Sequence, residues 1–275
     1  MNAIQWKTGF EIELLAPRGA SRRDLAMALA QSAGGTVRRC FYPQSEPSLV
    51  PGQPVFENLI LGFDCFDASG DRIARCVDDL TIRADLDRTA PPVPGWYRIV
   101  SDDSRILRLI MAQCDAELPV AEVLAPIAAL FGTELHVEQD GIVRLVDETR
   151  ASLALASGLP GERERPCEVI TPAMSAGHFD YLDSILSHVR RLDFAIPLEA
   201  ATHVHFDAQV LRDTRVFADL VNIVATHGES LRVLMETNPR CMRIAPPPAD
   251  LVRLAATERF RQAPWEEVLP ALRKL

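Results

Sequence analysis

The chain has 275 residues, 48% of them hydrophobic, and a formal net charge of −9. That length and composition support a buried core and exclude a disordered chain. The acidity, without any Lys/Arg run, excludes the electrostatic footprint of a nucleic-acid binder and points to small polar partners; ATP still fits an acidic protein where metal ions and a few arginines reverse the field locally.

The first predicted element is a strand over about Gly9–Leu15, followed by Pro17-Arg18-Gly19 and a helix with Ser21 as N-cap and Asp24 in its first turn, stopped by Gly34-Gly35. A second strand is predicted over 36–42, an irregular Pro-rich loop over Pro43–Pro54, and a hairpin from Val55–Phe66 and Arg72–Ile82. Ala90–Gly95, with three prolines, reads as a connector. Helices follow over Ser104–Asp115 and Pro119–Phe131, then a second hairpin over Glu134–Val146 and a short strand, Cys167–Thr171, ended by Pro172. His178–Phe194 and Thr214–Met235 carry apolar residues at spacings of three and four and are predicted amphipathic helices, with another over Pro264–Leu272. Strands in hairpins without regular strand–helix alternation predict an α+β fold, a largely antiparallel sheet with helices packed on one face.

The six cysteines lack CxxC spacing and read as reduced, mostly buried small hydrophobes. Met1–Lys7 has no basic region followed by an apolar core, and no run approaches 18 apolar residues, so a cytoplasmic protein with no membrane partner is expected.

The chemistry concentrates in two strands. On the first, alternation puts Glu11 and Glu13 on one face and Phe10, Ile12 and Leu14 on the other. On the second, Thr202–Asp207, it puts His203 and His205 opposite Val204 and Phe206, and leaves Asp207 as a turn or cap residue. Glutamate is a poor strand former, so two on one face are either a solvated face or a ligand pair. Carboxylates and imidazoles on one surface suit divalent ions and the phosphates they carry. Glu168, between Cys167 and Val169, is a third acid in a partly buried strand, and needs an arginine or a metal to keep its charge. Arg165, read as lying on the same face, is its expected salt-bridge partner and also a candidate nucleotide contact.

In order, Gly9-Phe10-Glu11-Ile12-Glu13, Glu168-Val169-Ile170-Thr171-Pro172, an amphipathic helix and His203-Val204-His205 resemble the amidoligase family, carboxylate–amine ligases that share the glutamine-synthetase fold. The resemblance covers most of the chain as a single domain, with about 43–115 as an elaboration. It implies ATP-dependent amide formation through an acyl phosphate, with Mg2+ or Mn2+ bridging the phosphates, and carboxylate and amine substrates that are small molecules or peptides. By the same resemblance Glu11, Glu13, Glu168 and His203 are metal ligands, His205 faces the nucleotide or the acyl phosphate, and Arg240 contacts phosphate or a substrate carboxylate. Family members continue into a late strand near the pattern Glu-Phe-Arg, and its absence before Leu275 implies truncation, divergence or a substitute residue; Glu258 and Arg259 have the right types in a helical pattern. Two other readings of the residues stay open: a metal-dependent hydrolase, and a non-catalytic binding protein on a degenerate ligase fold.

Overall fold

A computed structural model describes residues 6–47, 55–240 and 246–274. The chain forms two compact units, one of Gly9–Pro172 with Gly177–His203, the other of Met1–Thr8, Ala173–Ala176 and Val204–Leu275. The structure is α+β, and every strand pair with a described register is antiparallel.

In the larger unit, β1 (Thr8–Leu15) leads to α1 (Arg22–Ser32), whose start is fixed by a Ser21–Asp24 capping box: Ser21 N–H and Oγ both donate to Asp24 Oδ2, at 2.7 and 2.8 Å. Gly35, after the helix, runs so close to the next strands that an added Cβ would lie 2.0 Å from the Phe66 carbonyl oxygen. β2 (Val37–Pro47) then pairs with β3 (Val55–Phe66) in unbroken register from Val37↔Cys65 to Pro47↔Val55. The strand therefore overruns the loop predicted from Pro43; residues 48–54 of that loop lie outside the described residues. The physical reason is position: β2 pairs with β3 alone, and an edge strand tolerates prolines that lack a ladder donor.

The other edge of β3 forks. Its C-terminal half pairs with β4 (Arg72–Val77), as Phe63↔Cys76 does, while its N-terminal half pairs with β5 (Tyr97–Val100), as Asn58↔Val100 does. One wing continues through β9 (Pro166–Ile170) to β1; the other runs through β8 (Ser152–Gly158) and β7 (Val143–Val146) to β6 (Leu135–Val137). Between the wings the Leu61 carbonyl is claimed by the fully buried Arg22, whose Nε and Nη2 donate to it at 3.1 and 2.9 Å. The same guanidinium donates to the Arg163 and Pro166 carbonyls, lies 4.6 Å over the Trp96 ring and faces Asp78 at 3.9 Å.

Leu59 and Leu61 of β3 join a core with α2 (Ser104–Gln113) and α3 (Ala125–Phe131), and Phe63 and Cys65 join one with α1 and α4 (His178–Arg191). These four β3 residues share one face, so the helices cover one face of the sheet, as predicted. The other face carries Glu11, Glu13, Glu168, Tyr42, Gln44, Asn58 and the bidentate Arg75–Asp64 pair. Helix α3 starts six residues after the predicted Pro119, because Pro126 can occupy only a first turn. β5 and β8 have no counterpart among the predicted elements.

In the smaller unit, α5 (Thr214–Leu234) is capped by Asp213 and packs with α6 (Ala249–Ala255), α7 (Glu258–Gln262) and α8 (Trp265–Leu272) around Ala218, Val221, Phe260 and Val268. Glu258 and Arg259 are helical, as their pattern predicts. Among the described residues no strand follows β10 (Thr202–Phe206), and no helix is long and apolar enough to cross a membrane. Cys40, Cys65, Cys76, Cys114 and Cys167 are free thiols; Cys241 lies outside the described residues.

Candidate metal centre

The pairing of β1 with β9 puts Glu13 directly opposite Glu168. Like charges at such a position repel, the more so because Glu13 is only 2% exposed. The first residues of β10 lie beside β1, where Glu13 N–H donates to the Ala201 carbonyl and Ala201 N–H donates to Glu13 Oε2 at 2.8 Å. This brings in His203, with Nδ1 3.2 Å from Glu11 Oε2 and Nε2 3.6 Å from Glu13 Oε1. Glu13, Glu168 and His203 each offer a ligand atom, all within 4.8 Å of one another. In the tautomer whose Nδ1–H donates to Glu11, the Nε2 lone pair faces the space shared with Glu13 and Glu168, the usual way a carboxylate orients a metal-binding imidazole.

Sequence reasoning missed a fourth acid. Asp79, 4% exposed, follows β4 and shares a hydrogen bond with the Glu13 carboxyl; Thr81 N–H and Oγ1 donate to its Oδ1. It lies past the end of its strand, where alternation gives no guidance, and only the β4–β9–β1 order brings it near Glu13. The available signal was the adjacent acid pair Asp78-Asp79 directly after the apolar end of a strand, Cys76-Val77.

The crowding shows in the acids themselves. Burial, then the charge of Asp79, pushes Glu13 up to about 7. Burial, then the charge of Glu11 and a hydrogen bond with it, pushes Glu168 up to about 8. Tyr42, on the same face, is raised by burial and by the charges of Glu168 and Glu11. A divalent cation would remove the conflict: the carboxylates of Glu11, Glu13 and Glu168 with the His203 imidazole form a donor set that fits Mg2+ or Mn2+.

Of the sequence-predicted residues, the fold brings Glu11, Glu13, Glu168 and His203 together. Arg165 is not the partner of Glu168. It lies before β9, in a turn closed by Arg165 N–H to the Glu162 carbonyl, and its buried guanidinium donates instead to the Ala16 and Asp85 carbonyls and to the Glu162 carboxylate. His205 and Arg240 belong to the smaller unit. Both are exposed, and the Arg240 N–H donates to Asn238 Oδ1. Asp207 caps a short 3-10 turn, accepting from Gln209 N–H, as predicted.

An antiparallel sheet with one helix-covered face and an acid–imidazole cluster on the other defines an α+β protein with side chains that could hold a metal ion. The sequence profile that matches it, over residues 4–270, is that of a family described as "Putative amidoligase enzyme". The chain belongs to this amidoligase family. No curated protein and no solved structure matches the chain.

Proposed function

We infer that the protein is an ATP-dependent carboxylate–amine ligase with a glutamine-synthetase-like core. The observation that carries this reading is the convergence of Glu13, Glu168 and His203 in a chain of the amidoligase family. In the proposed reaction a carboxylate oxygen of the acid attacks the γ-phosphorus of ATP and ADP leaves. The amine nitrogen then attacks the acyl-phosphate carbon, phosphate departs and the nitrogen loses a proton. Glu13, Glu168 and His203, with Glu11 beside them, would hold a divalent ion, which would supply charge neutralisation for the transferring phosphate.

The protein's own contribution is placement. Glu11 orients the His203 ring, the Ala201 N–H holds one oxygen of Glu13, and Thr81 fixes Asp79 against the other acids. Small-molecule or peptide acids and amines are the proposed substrates, and the cytoplasm the proposed location.

Incubation with ATP, Mg2+, hydroxylamine and a panel of carboxylic acids is expected to yield hydroxamate and phosphate together. Neither product across the panel sinks the reading, and turnover without ATP replaces it with a metal-dependent hydrolase. Glu13→Gln is expected to lower turnover by at least a hundredfold in a folded protein. His205→Ala and Arg240→Ala test the roles implied for those residues by the same assay.

A further inference from the structure

Along β2 the open-face side chains Tyr42, Gln44 and Glu46 lead away from the acid cluster, at about 7 Å per pair of residues. Gln44 sits opposite Asn58 in the β2–β3 register, and both side chains are at least nine-tenths buried. Each amide nitrogen is committed: Gln44 Nε2 donates to the Asp78 carbonyl at 2.8 Å, and Asn58 Nδ2 to Glu46 Oε1 at 2.7 Å. These bonds fix the amide orientations, so the atoms left over are acceptors. Gln44 Oε1 and Asn58 Oδ1 are buried without a hydrogen-bond partner among the described residues, and so is the donor Arg98 Nε on β5. A buried acceptor left unmade costs about 1–3 kcal/mol, and two side by side call for a ligand rich in donors. Glu46 adds a negative charge and reaches Arg98 Nη1 at 3.5 Å, a loose contact that can yield. Glu46 also lines a cavity of about 310 Å3, with Leu80, Leu86, Arg83 and Arg88.

We propose that Gln44, Glu46, Asn58 and Arg98 form a binding site for an α-amino acid headgroup. The ammonium donates to Gln44 Oε1, Asn58 Oδ1 and the Glu46 carboxylate; the α-carboxylate accepts from Arg98 Nε; the remainder of the ligand occupies the cavity beside Glu46. The site deepens the ligase reading and rests on it for its purpose, by placing one substrate's amino group on the same sheet face as the acid cluster.

The test is calorimetric titration of the full chain with the proteinogenic L-amino acids and with propionate and methylamine, each with and without Mg2+ and a non-hydrolysable ATP analogue. At least one amino acid is expected to bind tenfold or more tightly than either single-group probe. Glu46→Gln, which keeps an acceptor for Asn58, is expected to weaken that binding at least tenfold with an unchanged circular dichroism spectrum. Arg98→Met is expected to remove the preference over methylamine. No amino acid binding under either condition, equal binding of propionate, or an unaffected Glu46→Gln overturns the site and assigns the leftover atoms to ordered water. Those outcomes are separable from failure of the ligase reading, because hydroxamate and phosphate release with the acid panel does not depend on amino acid binding.

Discussion

Glu168 is where the cost of the site is most visible. Its carboxyl titrates near 8 and that of Glu13 near 7, against an ordinary value of 4.5. The folded state thus holds protons that the unfolded chain releases. The stability these groups contribute is fully present below about pH 4.5 and is lost as pH rises through 7 and 8. In metal-free protein, thermal midpoints are expected to fall across that window, and Glu168→Gln to flatten the fall. An identical pH profile for the variant would remove Glu168 from the cluster. Mg2+ or Mn2+ is expected to raise the midpoint at pH 8, and the same substitution to abolish that rise, since it would remove a proposed ligand as well as a repulsion.

At the scale of elements, local signals were read well and pairing was not. Alternation placed Glu11 with Glu13, and spacing placed α4 and α5, because both depend on near neighbours in the chain. The strand extension through Pro43 was invisible because edge position is a property of the sheet. The place of Asp79 beside Glu13 and the Arg165 contacts to Ala16 and Asp85 were likewise set between residues 60 to 150 positions apart. Arg22 makes the same point in energetic form. A buried arginine at the first turn of a helix carries no sequence signature, yet it fills the fork that β4 and β5 open on β3. Arg22→Met is expected to destabilise the protein by about 3–5 kcal/mol, since it strands the Leu61 carbonyl and takes a donor from those of Arg163 and Pro166, while Asp78 keeps its pair with Arg163. Urea unfolding measures this, and a loss below about 1 kcal/mol would show that the fork closes without it.

For the whole molecule, the proposed function requires that the chain bind a divalent ion and a nucleotide. Saturating Mg2+ with ATP is expected to stabilise the folded chain, by about 2.7 kcal/mol at a hundred times the dissociation constant. Differential scanning calorimetry reads this directly; no shift with either ion, alone or with ATP, favours a scaffold that has lost its ligands. Glu13→Gln separates the two cases, because it is expected to remove the shift while preserving the unliganded transition.

The fork in β3 also sets the terms on which such a protein can diversify. The wing from β5 to β6 meets β3 at only three residue pairs, Asn58↔Val100, Leu59↔Ile99 and Ile60↔Arg98. The carboxylates of Glu11, Glu13 and Glu168 all stand on the other wing. Mutational drift, insertion or wholesale replacement along β5–β8–β7–β6 therefore reaches the neighbourhood of Asn58 while leaving Glu11, Glu13 and Glu168 in register. Selection can rework one half of the sheet, and the half that carries the clustered acids inherits its geometry unchanged.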